Sequence, residues 1–322
     1  MKTKYIQNFT PMRGFICLLV MCYHLFCVSN NYYDIDIFNT FFEYAKPGLY
    51  MFFVISGFAV TQSFINNHYK IISYLRFLAK RFIRLHPTYL VVLFLGILYF
   101  VARNILFGVE NSFAGIDGWQ VLAHVFYVVN FTDYKWINIV FWTLSLEFQF
   151  YIFYGLLFPL LNKVRIASLI LIIPALISLP AHTSIIGYLP YFVIGMSLCW
   201  FYNEHAKRTE FLIFSIILAS TIFYINGILA LVFLALIYIC VFVKFTFKIR
   251  PLILLGKISY SLFLVHTLVC FAVINVAHKL PHTALNQVLC ALVAISGSIF
   301  AAYVLNKFIE VPTGKISKKI KY

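Results

Sequence analysis

The sequence predicts an all-α, polytopic integral membrane protein with about ten transmembrane helices and both termini in the cytoplasm. Three observations lead to this fold class. Of the 322 residues, 63% are apolar and 11% are charged, with a mean hydropathy of +0.92, which lies far outside the range of soluble globular domains. Ten apolar stretches are long enough to cross about 30 Å of hydrocarbon. The basic residues gather in alternate loops, as the positive-inside rule requires.

The predicted membrane-spanning stretches follow one another with short connections. They are 11–27, 48–65, 87–105, 137–161, 166–180, 185–202, 211–225, 227–243, 252–276 and 285–309. Only Asn226 and Gly227 separate the seventh stretch from the eighth, so nine or eleven helices remain possible. No connection is long enough for a second folded unit. Residues 1–322 are therefore expected to form a single membrane domain with no appended soluble domain.

The charged residues predict the orientation of these helices. With ten helices, 21 of the 25 Lys and Arg residues fall on the side of the termini. Only four fall on the opposite side: Lys46, Arg103, Lys135 and Lys279. Because basic residues are retained in the cytoplasm, both termini are predicted to be cytoplasmic.

The net charge of +15 does not indicate nucleic-acid binding, because the charges lie between apolar runs and form no groove-sized patch. The seven cysteines all lie in or beside apolar runs, without a CxxC pair or a Cys/His spacing suited to zinc. We therefore expect small buried thiols and no metal.

The first apolar stretch contains two ionisable side chains, Arg13 and His24, eleven residues apart. At about 3.6 residues per turn, this spacing is almost three turns, so the two side chains share one helix face. The rise between them is roughly 16 Å. The pair therefore extends from the inner edge of a bilayer to a point beyond its middle.

Two further ionisable residues lie inside predicted helices, Glu147 near the bilayer midplane and His266 at a depth similar to that of His24. Intramembrane ionisable residues are energetically expensive and commonly functional. The three groups suit general acid/base chemistry in a shared cavity, or a proton relay in a transporter. The structural alternative for Glu147 is a hydrogen bond to Tyr151 or Tyr154 on the same helix face.

A basic stripe precedes Pro87, because Arg76, Lys80 and Arg84 recur every four residues with Arg81 beside them. Arginine pairs suit phosphate groups. The alternative is a juxtamembrane cluster that obeys the positive-inside rule or meets anionic lipid.

Two other segments have predicted roles. Residues 119–127, in the longest outer loop, are too short to span and suit a re-entrant or interfacial helix. Gly48 and Gly57 in the second stretch are predicted to permit close helix packing.

Taken together, these stretches resemble acyltransferase family 3, a family of integral membrane acyltransferases, in the same order and spacing and over nearly the whole chain. The matching features are Arg13-Gly14 with His24 after ten intervening residues, the Phe-Phe-Val-Ile-Ser-Gly-Phe run at 52–58, Arg81-x-x-Arg84-x-x-Pro87, Trp142 through Glu147 to Phe150-Tyr151, Gly256 through Ser259-Tyr260 to His266, and Glu310-Val311-Pro312. Tyr50 stands where many relatives have an acidic residue, so no role is carried over to it.

The resemblance implies an enzyme that takes an acyl group, commonly acetyl from acetyl-CoA, on the cytoplasmic side and delivers it to a sugar hydroxyl. The expected catalytic residues are His24, Glu147 and His266. His24 performs the chemical step, and Glu147 or His266 orients His24 or the acceptor. The residues expected to bind the acyl-CoA are Arg13, Arg81 and Arg84. The residues expected to line the substrate cavity are Trp142, Tyr151, Ser259 and Tyr260.

The acceptor implied by the resemblance is a cell-surface glycan such as lipopolysaccharide O-antigen, capsule or another lipid-linked saccharide, which places the enzyme in a bacterial inner membrane. Two alternatives remain open. The same fold can transfer another acyl group or modify a small molecule. In a different class, the chain is a proton-coupled transporter or flippase of lipid-linked sugars.

Overall fold

The computed structural model describes residues 6–28, 32–33, 36–107, 116–173, 185–243 and 247–322, and within them the chain is helical with no β-strand. Helical structure is expected in a membrane, because the backbone groups of an α-helix form their hydrogen bonds within their own segment. The α-helices in chain order are α1 (Phe9–Cys27), α2 (Asp36–Glu43), α3 (Met51–Asn66), α4 (Tyr74–Phe107), α5 (Gly118–Val125), α6 (Phe141–Lys163), α7 (Leu189–Tyr202), α8 (Arg208–Phe242), α9 (Arg250–Lys257), α10 (Ser259–Ala277), α11 (Ala284–Leu305) and α12 (Val311–Lys318).

Eight helical stretches of the described chain are long and apolar enough to cross a membrane, judged by length and composition. One of them, α8, covers the seventh and eighth predicted membrane-spanning stretches, 211–225 and 227–243, up to Phe242. At Gly227 its backbone leaves the helical region, with φ 74° and ψ −172°. The chain turns back there, since the rings of Phe211 and Phe242 lie 5.9 Å apart. The fifth predicted stretch, 166–180, lies partly outside the described residues. The count of ten helices and the cytoplasmic termini therefore stay predictions.

Helix α4 is longer than its predicted membrane-spanning part. It has 34 residues and a length of about 50 Å, whereas a bilayer core measures about 30 Å. Pro87 lies inside it without ending it, because a proline removes one helical hydrogen bond while the flanking turns can continue. The basic stripe from Arg76 to Arg84 therefore lies on the same continuous helix as the membrane-spanning segment.

Two close helix crossings depend on glycine. A Cβ on Gly57 of α3 would collide with the carbonyl oxygen of Phe192 in α7, and one on Gly195 would lie 2.7 Å from the backbone nitrogen of Phe58. At the second crossing, a Cβ on Gly14 of α1 would lie 2.8 Å from the backbone nitrogen of Gly256 in α9. The packing role predicted for Gly57 is confirmed. The second crossing fixes the start of α1, where Arg13 lies.

The buried apolar residues form two clusters, one centred on α3, α6, α7 and α8 and the other on α4, α10 and α11. Four side chains pack against both clusters: Phe52, Leu85, Phe148 and Phe263. Phe52, Leu85 and Phe263 also line the first cavity described below, and Phe263 lines the second, so these two cavities lie at the boundary between the clusters. Six of the seven cysteines are buried and Cys27 is half-buried, so the expected buried thiols are confirmed at six positions.

Helix α5 confirms the short helix predicted within 119–127. Asp117 caps its first turn by accepting a hydrogen bond from the Gln120 backbone at 2.6 Å. Its fully buried His124 connects two segments: Nδ1 lies 2.8 Å from the Gln120 carbonyl oxygen, and Nε2 accepts the Ile137 N–H at 3.0 Å. Nδ1 is therefore the protonated nitrogen. A second proton, on Nε2, would face the Ile137 N–H and break this hydrogen bond.

Acidification is expected to weaken this region through His124. Burial lowers the pKa of His124 below its ordinary value of 6.5, so its contribution to folding stability is complete above about pH 6.5 and declines as the pH falls below that value. Thermal unfolding in detergent at pH 7.5 and pH 5.0 measures the effect. We expect a smaller acid-induced drop in melting temperature for His124→Gln than for wild type. Equal drops would contradict this role.

Candidate active site

A cavity of about 140 Å³ lies at the basic end of the bundle. Three arginines line it: Arg13 from α1, and Arg81 and Arg84 from α4. Two carboxylates line it as well, Glu147 from α6 and Glu310 from the turn before α12. We call it the arginine cavity. The structure thus brings together the three arginines that the sequence nominated for acyl-CoA binding.

The guanidinium groups of this cavity remain available to a ligand. Arg81 lies over the Tyr151 ring, with 5.2 Å from its guanidinium carbon to the ring centroid, and its buried Nε has no hydrogen-bond partner among the described residues. Among the described residues, neither Glu147 nor Glu310 forms an ion pair with an arginine. Arginine forks with free donors are well suited to phosphate oxygens.

Glu147 is held by two hydroxyl groups. Ser56 Oγ donates to its Oε1 at 2.6 Å, and the Tyr151 hydroxyl donates to the same oxygen. The bond to Tyr151 is the structural alternative that the sequence offered, while Tyr154 instead bonds Thr61 at 2.7 Å. Because the carboxylate is only half-buried and lines the arginine cavity, it also meets whatever enters there.

Glu310 is a site residue that sequence reasoning quoted only as part of a motif. It ends a π-helical turn, Asn306–Glu310, in which the Val311 N–H donates to the Asn306 carbonyl. Such turns are frequent at functional sites. The Glu310 carboxylate accepts hydrogen bonds from Ser261 at 2.6 Å and from Asn306 at 2.9 Å. The available signal was that Glu310 is the only acidic residue after Glu210.

The start of α10 supplies two predicted cavity residues. The Tyr260 hydroxyl donates to the carbonyl oxygen of Leu85 at 2.7 Å, which ties α10 to α4 next to Arg84. Ser259 is 1% exposed, lines the arginine cavity, and its Oγ has no partner among the described residues. Ser259 and Tyr260 therefore line the arginine cavity, as does the third predicted residue, Tyr151.

A second cavity, of about 580 Å³, lies at the opposite end of the bundle. Its lining includes His24 and five large aromatic side chains: Tyr23, Tyr50, Trp142, Tyr188 and Phe263. The rings of Trp142 and Tyr188 lie 5.2 Å apart and those of Tyr50 and Tyr188 lie 5.5 Å apart. We call it the aromatic cavity. Of the predicted cavity residues, Trp142 is the one found here.

The aromatic cavity also contains polar groups. Besides the three tyrosines, they belong to His24, Lys46, Thr143 and Asn226, and the Tyr191 hydroxyl donates to Asn226 Oδ1 at 2.7 Å. A mostly apolar and aromatic cavity with a few oriented polar groups is typical of a site for a small organic ligand. Tyr188 and Asn226 were missed from the sequence, since they lie on segments that only the folded chain places beside α1.

The two cavities are neighbours, because Leu49, Thr143 and Phe263 line both. Phe263 lies between the arginine cavity and the histidines, with its ring centroid 6.0 Å from that of His266 and 5.6 Å from that of Phe52. We call these three shared residues the wall between the two cavities. A group that passes from one cavity to the other must pass these side chains.

His24 and His266 form a direct pair. His24 Nδ1 lies 3.2 Å from His266 Nε2, with the ring centroids 5.1 Å apart. His24 is 7% exposed and His266 is fully buried. The sequence placed both at similar depth, and the structure brings them into contact.

Hydrogen-bond geometry assigns the protons of the pair. His266 Nδ1 lies 3.0 Å from the Leu262 carbonyl oxygen, so it is the N–H of a neutral ring and Nε2 has the lone pair. His24 Nδ1 lies 2.9 Å from the Val20 carbonyl and faces the His266 lone pair. His24 Nδ1 is therefore the protonated nitrogen, because it faces two acceptors. The nitrogen of His24 left with a lone pair is Nε2, which is the form a general base needs.

Substitutions of His266 are expected to separate orientation from packing. His266→Leu removes the acceptor for His24 Nδ1. For the acyl transfer that the sequence resemblance implies, we expect a roughly 10–100-fold fall in the turnover number, by analogy with the loss of a partner that orients a metal-bound histidine. The donor KM should stay unchanged. His266→Gln retains an acceptor and should restore most of the rate. Steady-state kinetics of the purified variants measures this. Equal losses in both variants would indicate a packing role only.

The expectation of one shared cavity for the three buried ionisable groups is not met. Glu147 lines the arginine cavity, His24 lines the aromatic cavity, and His266 supports His24 without lining either of these two cavities. The wall of Leu49, Thr143 and Phe263 lies between Glu147 and His24. In this arrangement Glu147 belongs with the arginines, and His24 belongs with the aromatic residues.

Fold and site together define a polytopic membrane protein in which two different cavities approach one buried histidine pair. The profile of acyltransferase family 3, described as an acyltransferase domain, matches residues 7–307. The chain therefore belongs to this family of membrane acyltransferases. No curated protein matches the chain, and no solved structure matches it either.

Proposed function

We propose that the protein transfers an acetyl group from cytoplasmic acetyl-CoA to a hydroxyl of a cell-surface glycan. The observation that supports this function is the pair of cavities on either side of the wall at Phe263. The arginine cavity has the charge to receive an anionic donor. The aromatic cavity has flat rings that suit the apolar faces of a sugar, with His24 beside it.

In this proposal the phosphates of CoA bind Arg81, Arg84 and Arg13, and the pantetheine arm passes between Leu49, Thr143 and Phe263 toward His24. Arg81 and Arg84 lie on the helix that extends beyond the bilayer core, so they meet the donor where it enters. The loop charges predict that this end faces the cytoplasm. The acceptor then enters from the opposite end.

The chemical step uses His24 Nε2. This nitrogen takes the proton of the sugar hydroxyl as the oxygen attacks the thioester carbonyl. When the tetrahedral intermediate collapses, the C–S bond breaks, the acyl–oxygen bond remains, and the imidazolium returns the proton to the CoA thiolate. The positive charge on His24 is shared through Nδ1–H with the lone pair of His266. A route through an acyl-histidine would use the same nitrogen.

Membership in an acyltransferase family favours this function over the transporter hypothesis, and one experiment separates the two. Purified protein in liposomes receives radiolabelled acetyl-CoA and isolated lipid-linked glycan. Label on the glycan is expected. Movement of glycan across the membrane without label would overturn the proposal. Comparison of the acetyl content of surface glycan by NMR, in a deletion strain and its parent, identifies the acceptor.

A further inference from the structure

A third cavity, of about 280 Å³, lies beside the aromatic cavity and shares Ile139 with it. It is formed by the end of α4, the segment before α6, and the second half of α10. Its cationic residue is Arg103, one of the four basic residues that the loop charges place on the side opposite to the termini. We call it the Arg103 cavity.

Two hydrogen-bond donors of this cavity, one on Arg103 and one on Tyr99, lack acceptors among the described residues, whereas Asn138, Thr267 and Asn275 donate to protein groups. Arg103 Nε is buried and has no hydrogen-bond partner among the described residues. The Tyr99 hydroxyl accepts a bond from Asn275 Nδ2 at 2.6 Å, and no described group accepts the hydroxyl's own proton. The described lining contains no Asp or Glu. A half-buried guanidinium whose buried Nε lacks an acceptor, next to a free hydroxyl donor and with no carboxylate in the described lining, indicates a site for an anion.

Apart from Asn138, Thr267 and Asn275, the rest of the lining is apolar or aromatic. Phe100, Leu268, Phe271 and Ile274 line the cavity on α4 and α10. Next to Arg103 on α4, Val101 is 50% exposed and Ile105 is 77% exposed, as expected for side chains that face lipid. The cavity thus combines two free donors near the end of α4 with apolar side chains of α4 and α10, beside a part of α4 whose exposed apolar side chains suit contact with lipid.

We propose that the Arg103 cavity binds the phosphate of a membrane lipid, and that the glycan in the adjacent aromatic cavity is attached to such a lipid phosphate. The first part depends only on the cavity and its donors. The second part rests on the proposed function. Since Ile139 lines both cavities, a phosphate in one cavity and the saccharide linked to it in the other lie on neighbouring sides of this one side chain.

Lipid binding to purified protein tests the first part. The probes are dioleoylphosphatidylglycerol, dioleoylglycerol without phosphate, and glycerol phosphate without acyl chains, measured by native mass spectrometry. We expect wild type to retain phosphatidylglycerol over both other probes, and Arg103→Gln to lose about tenfold or more of this binding. Arg103→Lys should retain part of it. Lys135→Gln, which removes one exposed charge from the same end, is the matched control.

Three outcomes overturn the lipid-phosphate site. Undiminished binding in Arg103→Gln excludes the guanidinium. Equal retention of dioleoylglycerol excludes the phosphate, and equal binding of glycerol phosphate excludes the lipid chain. Size-exclusion profiles and the partial recovery in Arg103→Lys separate lost binding from misfolding.

Acetyl transfer tests the second part. With lipid-linked glycan, Arg103→Gln should raise the acceptor KM about tenfold or more and leave the KM for acetyl-CoA unchanged. With the same glycan released from its lipid, the variant and wild type should have equal rates. Equal acceptor KM values for lipid-linked glycan would overturn the linkage. Absence of transfer by wild type would contradict the proposed function but leave the lipid-binding result intact.

Discussion

His24→Ala is expected to lower the acetyl-transfer rate by about 10²–10⁴-fold, the usual contribution of a general base. The reason is geometric. The lone pair of His24 Nε2 is fixed by the bonds of Nδ1 to Val20 and His266, and His24 lines the cavity proposed for the acceptor. The measurement is the initial rate of label transfer to glycan, with variant and wild type at equal protein levels in liposomes.

The matched control is His205→Ala, because His205 is exposed at the basic end and lines none of the three cavities described above. It should retain the wild-type rate. Wild-type transfer by His24→Ala would refute the assignment of the base. Rapid gel filtration at neutral pH, before acceptor is added, distinguishes the two chemical routes, because an acyl-imidazole hydrolyses quickly in acid. Label that stays with wild-type protein and is absent from the alanine variant indicates an acyl-histidine.

Arg81→Gln and Arg84→Gln are each expected to raise the KM for acetyl-CoA by roughly 10–100-fold, since a hydrogen bond to a charged group contributes about 1.5–3 kcal/mol. The turnover number should change little, because neither arginine lines the aromatic cavity where His24 lies. If both arginines bind one phosphate, the double variant should lose less than the sum of the single losses.

Arg76→Gln is the control for the arginine pair. Arg76 belongs to the same basic stripe of α4 but is exposed and does not line the arginine cavity, so its substitution should leave the KM unchanged. A second probe is acetyl-dephospho-CoA, which lacks one phosphate. A variant that has lost the contact to that phosphate should have a smaller difference in KM between acetyl-CoA and acetyl-dephospho-CoA. Equal KM increases for all three arginine variants would indicate a general surface-charge effect.

The sequence nominated the ionisable residues of the candidate site one by one, but it did not indicate which of them lie together. His24, Glu147 and His266 stand out in the sequence because ionisable side chains are rare inside apolar helices. Their depth follows from the helical rise of about 1.5 Å per residue. Their grouping depends on the rotation of each helix and on its neighbours. The structure separates Glu147 from His24 by a wall and places His266 against His24.

The sequence by itself determined the all-helical membrane class, the basic end of α4, the short helix α5 and the close packing at Gly57. These follow from composition, charge and side-chain size, which act locally. Only the tertiary structure decided which residues line each cavity, because helices that are apolar on nearly every face have no polar stripe to indicate their rotation. Tyr188, Asn226, Phe263 and Glu310 became site residues through that packing.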